Sequence, residues 1–114
     1  MTAEPGLRAA LDALRVSALA DVSALEAELE SLRRVRESSS DDDEHDPEGP
    51  TLSSEWSRLR GLQLAAETRL QDVDAALARL ETGRYGLCLN CGRPIAPGRL
   101  EARPTAALCV DCAA

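Results

Sequence analysis

The sequence predicts a mainly α-helical protein, in which a long antiparallel helical hairpin precedes a small four-cysteine finger. Aromatic residues make up only 2% of a chain that is 44% hydrophobic, so leucine, alanine and valine must provide most of the packing. Those residues recur at helical spacing on both sides of an acidic segment. All four cysteines lie in the last 27 residues.

The first predicted helix lies before the acidic segment, where apolar residues recur every three or four positions. They are Leu7, Leu11, Leu14, Ala18, Val22, Leu25, Leu29 and Leu32. After the acidic segment, a second stripe alternates steps of three and four over more than three heptads, the pattern of a coiled-coil seam. It comprises Trp56, Leu59, Gln63, Ala66, Leu70, Val73, Leu77 and Leu80. Neither helix can bury its stripe alone.

A connection that contains Pro47, Gly49 and Pro50 favours an antiparallel pairing of these two helices within one chain. We therefore predict a coiled-coil hairpin over residues 1–83 with a tip loop around residues 38–50. Gly83 is the expected end of the second helix, and the candidate caps at its start are Thr51, Ser53 and Ser54. The prediction is a monomer, and the alternative is that the seam pairs with a second copy of the chain.

Charge is distributed unevenly along the chain. Residues 1–83 carry 18 acidic residues and 9 arginines, whereas residues 84–114 carry 2 acidic residues and 4 arginines. Seven carboxylates and no lysine or arginine fall between positions 37 and 50: Glu37, Asp41, Asp42, Asp43, Glu44, Asp46 and Glu48. The net charge of −7 argues against broad binding to a phosphate backbone, so no direct sequence-specific DNA binding is expected. Without a membrane-spanning run or a signal-like amino terminus, we expect a cytoplasmic protein that binds no membrane.

The cysteines form two C-x2-C pairs separated by 17 residues, Cys88 with Cys91 and Cys109 with Cys112. This spacing is typical of one structural Zn²⁺ held by four thiolates, because each tight turn presents two sulfurs to the same tetrahedral ion. Two disulfides or a redox-active pair are the alternatives, and both are disfavoured in a reducing compartment. We predict a zinc finger over residues 84–114 whose folding depends on the metal.

The run RLETGRYGLCLNCGRPI at residues 79–95, followed by RLEARP at 99–104 and CVDC at 109–112, closely resembles the DksA/TraR zinc-finger family. The resemblance implies a bacterial transcription regulator that binds RNA polymerase directly. It also implies that the hairpin enters the secondary channel of the polymerase, where acidic tip residues approach the catalytic centre and change promoter-complex behaviour.

The family pattern at the tip is Asp-x-x-Asp-x-Ala. Asp43 and Asp46 match its two acids, and Glu48 stands in the position of the alanine. A gapless count back from Cys88 gives another register, in which His45 and Glu48 take the acidic positions. Asp43, Asp46 and Glu48 are the candidate tip residues.

An enzyme is not predicted, because no Ser/His/Asp or Cys/His set can be assembled around His45, the only histidine. The alternative function is a zinc-ribbon interaction or nucleic-acid-binding module whose coiled coil dimerises. Four arginines give its zinc end a basic character: Arg84, Arg93, Arg99 and Arg103. Tyr85 is the only aromatic residue there that could stack on a base.

Overall fold

A computed structural model describes residues 4–40 and 49–113. Two long helices, α1 (Glu4–Ser40) and α2 (Gly49–Glu81), are followed by two short ones, α3 (Pro97–Ala102) and α4 (Val110–Ala113). The described residues contain no β-strand, only an isolated antiparallel bridge between Leu87 and Pro94. No helix in these ranges is long and apolar enough to cross a membrane. The predicted fold class, a helical pair followed by a four-cysteine finger, is confirmed.

The start of α2 differs from the prediction. The helix begins at Gly49, so Thr51, Ser53 and Ser54 lie inside it and the prediction that one of them caps its start is wrong. Pro50 falls in the first turn, where a missing amide hydrogen breaks no helical hydrogen bond. At the other side of the predicted tip loop, α1 continues to Ser40. The candidate tip residues Asp43, Asp46 and Glu48 lie outside the described residues.

The end of α2 is built around Gly83, as predicted. The Gly83 amide donates to the Leu80 carbonyl at 3.3 Å, and the Arg84 amide donates to the Arg79 carbonyl at 2.8 Å. This pair of bonds is the Schellman motif, which satisfies carbonyls that the helix leaves free. Gly83 has a φ of +75°, a left-handed conformation that a glycine adopts without steric strain. The chain can therefore leave the helix within two residues.

The chain divides into two compact units, and the first comprises Met1–Ser17 with Arg69–Ala114. Two ion pairs show that α1 and α2 run antiparallel in this unit. Arg8 lies 3.8 Å from Glu81 and Arg15 lies 2.6 Å from Asp74, so the partner in α2 moves backward along the chain as α1 moves forward. Leu11, Ala76 and Leu80 form the buried cluster of this unit; Leu7, Leu77 and Tyr85 pack against it.

The second unit, Ala18–Thr68, consists of the remaining parts of the two long helices. The helices are again antiparallel, because residues near the end of α1 lie beside residues near the start of α2. Arg36 lies 5.8 Å from the ring centroid of Trp56. A surface cleft is lined by Ala27, Glu28, Ser31 and Leu32 of α1 and by Glu55 and Leu59 of α2. Its buried side chains are Ala18, Leu29, Leu59, Gln63 and Ala66. The buried Gln63 accepts a 2.6 Å hydrogen bond from Arg60, which satisfies its carbonyl oxygen.

The predicted seam residues lie on the buried faces of the helices with one exception. All eight seam residues of α2 are buried or half-buried, as are those of α1 other than Leu14, which is 40% exposed. The neighbouring Arg15 is half-buried and donates to Asp74 of α2. The boundary at Gly83 between a hairpin and a finger domain stays a prediction.

Candidate metal centre

The first cysteine pair, Cys88–Cys91, lies in a tight turn that we call the first knuckle. The Gly92 amide donates to the Cys88 carbonyl at 2.9 Å, and the Cys88 amide donates to the Arg93 carbonyl at 2.8 Å. Gly92 has a φ of +78°, which explains why a glycine follows Cys91. These contacts turn the chain back on itself within five residues and bring both sulfurs to one side.

The second knuckle, Cys109–Cys112, overlaps the single turn of α4. The Ala113 amide donates to the Cys109 carbonyl at 2.9 Å and closes this turn. Two longer-range bonds hold the preceding segment: the Leu89 amide donates to the Ala107 carbonyl at 2.9 Å, and Arg99 Nε donates to the Leu108 carbonyl at 2.9 Å. Backbone contacts therefore bring together two knuckles that are distant in sequence.

The structure brings together the four cysteines that the sequence predicts as ligands. Their Sγ atoms all lie within 4.8 Å of one another, and those of Cys91 and Cys109 are 3.9 Å apart. A zinc–sulfur bond of about 2.3 Å gives a tetrahedron whose sulfurs are about 3.8 Å apart, so this cluster fits one zinc ion. All four are free cysteines, not disulfide partners. Four thiolates fill the coordination sphere, which leaves no place for water and makes the zinc structural.

The four thiols do not share one pKa. Backbone hydrogen bonds from Cys109 and Cys91 lower the pKa of Cys88 to about 6, so its thiolate is already favoured at neutral pH. The Asn90 amide lowers the pKa of Cys112, but the neighbouring Cys109 and Cys88 thiols outweigh it and raise this pKa to about 11. Because zinc binds thiolates, its binding must release protons from such a site.

Three side chains attach the finger to the end of α2 or hold it together, and the sequence predicts this role for none of them. Tyr85 donates its hydroxyl to the Pro104 carbonyl at 2.6 Å, and Arg79 lies 3.4 Å from the Thr105 carbonyl. Arg99 makes the bond to Leu108 already described. Only Tyr85 carried a signal, as the single aromatic residue in a segment with little other apolar side-chain volume. Burial raises its pKa, since desolvation disfavours the charged phenolate.

Replacing Tyr85 with phenylalanine removes the bond to Pro104 and keeps the ring. We expect the zinc-loaded protein to lose about 0.5–1.5 kcal/mol of unfolding free energy, the usual net value of one such bond. The raised pKa means that this contribution is complete below about pH 10, the ordinary tyrosine value, and declines as pH rises through the folded-state value. Urea titrations at pH 7.5 and pH 11 measure it; a difference between wild type and variant that does not shrink at pH 11 contradicts the assignment.

Comparison with known proteins places this finger in a family. The sequence model described as a prokaryotic dksA/traR C4-type zinc finger matches residues 83–114. The RNA polymerase-binding transcription factor DksA of Caulobacter vibrioides is 39% identical over 88 residues, which are 72% of this chain and 62% of that protein. The chain belongs to the DksA/TraR zinc-finger family.

Other DksA proteins agree with this assignment. The RNA polymerase-binding transcription factor DksA of Haemophilus influenzae is 49% identical over 43 residues, which are 38% of this chain and 30% of that protein. The structure of transcription factor DksA2 from Pseudomonas aeruginosa matches with a TM-score of 0.81 at 26% identity, covering 99% of this chain and 81% of that one. The chain thus aligns with about three fifths of the Caulobacter relative and under a third of the Haemophilus one.

Proposed function

We propose that this protein binds RNA polymerase and regulates transcription, as its DksA relatives are named for doing. The observation that carries the proposal is the identity of 39% over 88 residues with the Caulobacter protein, because the alignment covers 72% of the chain and so extends beyond the finger. Those relatives are named as transcription factors, not as enzymes, and we propose no catalytic activity. Since a bacterial polymerase works in the cytoplasm, the proposal implies a cytoplasmic protein that acts as a monomer on this partner.

The proposed mode of action is entry of the α1–α2 connection into the secondary channel of the polymerase. The helices of the second unit support it, because an antiparallel pair has a cross-section of only about two helix diameters, each about 10–12 Å. The connection between Ser40 and Gly49 carries Asp43, Asp46 and Glu48 in its sequence. Carboxylate oxygens are suited to a centre that works with Mg²⁺, a hard cation that prefers oxygen ligands.

Site-specific crosslinking tests the mode of binding. A photo-crosslinking residue at position 45, between the candidate acids, is compared with one at position 16, where Val16 is 68% exposed. After co-purification with the polymerase, we expect crosslinks from position 45 to segments that line the secondary channel, and none there from position 16. Crosslinks from position 45 only to the exterior of the enzyme overturn channel entry, and failure to co-purify overturns polymerase binding.

A variant that lacks one tip carboxylate can show whether the tip contributes to polymerase affinity or acts at the catalytic centre. We expect Asp46→Asn to leave polymerase affinity nearly unchanged while altering the lifetime of promoter complexes, because the tip carries the charge that faces the reaction. Asp12→Asn is the matched control, since Asp12 is an exposed residue of α1 far from the tip in sequence. Equal losses of affinity and lifetime effect in Asp46→Asn would mean that the tip serves binding alone.

The same assay distinguishes the two registers of the tip. If Asp43 and Asp46 hold the acidic positions, Asp46→Asn has the larger effect on promoter-complex lifetime. If His45 and Glu48 hold them, Glu48→Gln has the larger effect. Each variant loses one negative charge and keeps its side-chain length, so a difference in promoter-complex lifetime between them reflects the position of the lost carboxylate.

A further inference from the structure

Besides the approach of the Cys91 and Cys109 sulfurs, a side-chain hydrogen bond connects the two knuckles at the metal ligands. Asn90, the third residue of the first knuckle, places its amide nitrogen Nδ2 3.3 Å from Cys112 Sγ in the second knuckle. The two residues are 22 positions apart, so the contact depends on the tertiary fold of the finger. The backbone bond from Leu89 to the Ala107 carbonyl holds the first knuckle in place for it.

The chemistry of this contact suits a zinc-bound thiolate. A carboxamide nitrogen has two N–H donors, and a thiolate sulfur is a negatively charged acceptor, so the hydrogen bond is charge-assisted. Such a bond favours the charged sulfur over the protonated one and fixes the orientation of the cysteine side chain. Groups that orient metal ligands from outside the coordination sphere typically change metal affinity 10–100-fold when they are removed.

Cys112 is the ligand for which such support matters, because it lies in a helix of only four residues. The equivalent third position of the second knuckle offers no matching donor. It is Asp111, an exposed carboxylate that makes no hydrogen bond or ion pair with residues 4–40 or 49–113. The side-chain support between the knuckles is therefore one-sided, from Asn90 to Cys112.

We propose that Asn90 is a positioning residue of the zinc site, which holds the Cys112 thiolate on the metal through its N–H···S bond. Asn90 is not a ligand and acts through Cys112. The proposal adds to the four-cysteine assignment and does not rest on the proposed action on RNA polymerase, since neither its geometry nor its test involves that enzyme.

The rate of zinc release from the full chain tests the proposal. Zinc-loaded protein is mixed with excess 4-(2-pyridylazo)resorcinol, and the coloured chelate is followed over time. We expect Asn90→Ala to release zinc about tenfold faster than wild type. Asn90→Asp has nearly the same shape but presents only acceptors at neutral pH, so it should release zinc at least as fast as Asn90→Ala. Asp111→Ala, the matched control in the other knuckle, should release zinc at the wild-type rate.

The absorption spectrum of the cobalt-substituted protein provides a second measurement. A change in the packing of the loop alone would not shift its thiolate-to-cobalt charge-transfer band. In protein filled with excess Co²⁺, loss of an N–H donor raises the energy of the sulfur lone pairs. The thiolate-to-cobalt charge-transfer band should therefore move to lower energy in both Asn90 variants and stay in place in Asp111→Ala. Wild-type release from Asn90→Ala or Asn90→Asp overturns the proposal. Faster release with an unmoved band also overturns it, because Asn90 would then act only on the fold of the loop.

Discussion

Replacing Cys88 with serine should abolish zinc binding and unfold the finger while leaving most of α1 and α2 helical. Cys88 is 3% exposed, and a neutral serine hydroxyl is a poor substitute for a thiolate ligand of zinc. Within the finger, Ile95 is the other buried hydrophobic residue among those described. Zinc binding in small domains of this kind contributes about 10–16 kcal/mol of apparent free energy, so too little core is left to hold the segment without it.

Zinc content and limited proteolysis measure this effect. We expect new cleavage sites within residues 84–113 of Cys88→Ser, and the same sites in wild type treated with a strong chelator. Leu89→Ser is the matched control, because it introduces serine one position further along the same knuckle at a side chain that is 64% exposed. It should keep its zinc and its resistance to protease. A finger that is equally resistant in Cys88→Ser and in wild type would show that zinc is not what folds it.

Unfolding of the finger in Cys88→Ser should also loosen the ends of α1 and α2 that pack beside it. Tyr85 packs against the cluster of Leu11, Ala76 and Leu80, and its hydroxyl is bound to Pro104 within the finger. When the finger unfolds, Tyr85 loses the partner that fixes its position, so the helix ends of the first unit lose part of their packing. We therefore expect the earliest protease cuts outside the finger near Leu7, which belongs to the same cluster.

The sequence was sufficient for the parts of the fold that follow from local periodicity and spacing. The heptad steps of α2 located buried Leu59, Ala66 and Val73, and the two C-x2-C pairs located the sulfurs that the fold brings together. It failed where the outcome depends on contacts between distant residues. Leu14 is exposed, while the neighbouring Arg15 is half-buried and donates to Asp74, 59 residues away in sequence. Ala76 is fully buried although it lies outside the predicted seam.

The partners of the bonds that attach the finger could not be predicted from the sequence either, for the same reason. The bond from Tyr85 to Pro104 joins residues 19 positions apart with α3 between them, and that from Arg79 to Thr105 joins residues 26 positions apart. Each ends on a backbone carbonyl, a group that every residue possesses, so neither partner could be recognised from its side chain. Nothing in the spacing of either pair indicates a contact.

Replacing Leu11 with alanine should strongly destabilise the helix pair, because Leu11 is its largest fully buried side chain. Leu11 has no exposed surface and forms the buried cluster of the first unit with Ala76 and Leu80. Ala76 is too small to fill the space that the lost side-chain atoms leave, and a helix backbone cannot close it without displacing the neighbouring turn. Substitutions of this kind lower the unfolding free energy by about 2–5 kcal/mol, through lost burial together with the cavity.

Leu14→Ala is the control that makes this prediction specific. It removes the same atoms from the same helix less than one turn away, but Leu14 is 40% exposed. Its loss should be about 1 kcal/mol or less, because much of the side chain is in water before the change. Urea unfolding of the zinc-saturated proteins, followed by circular dichroism, measures both. Similar losses in the two variants would mean that α1 presents a different face to α2. A large loss in Leu11→Ala alone means that the face carrying Leu11 packs against Ala76 and Leu80 of α2.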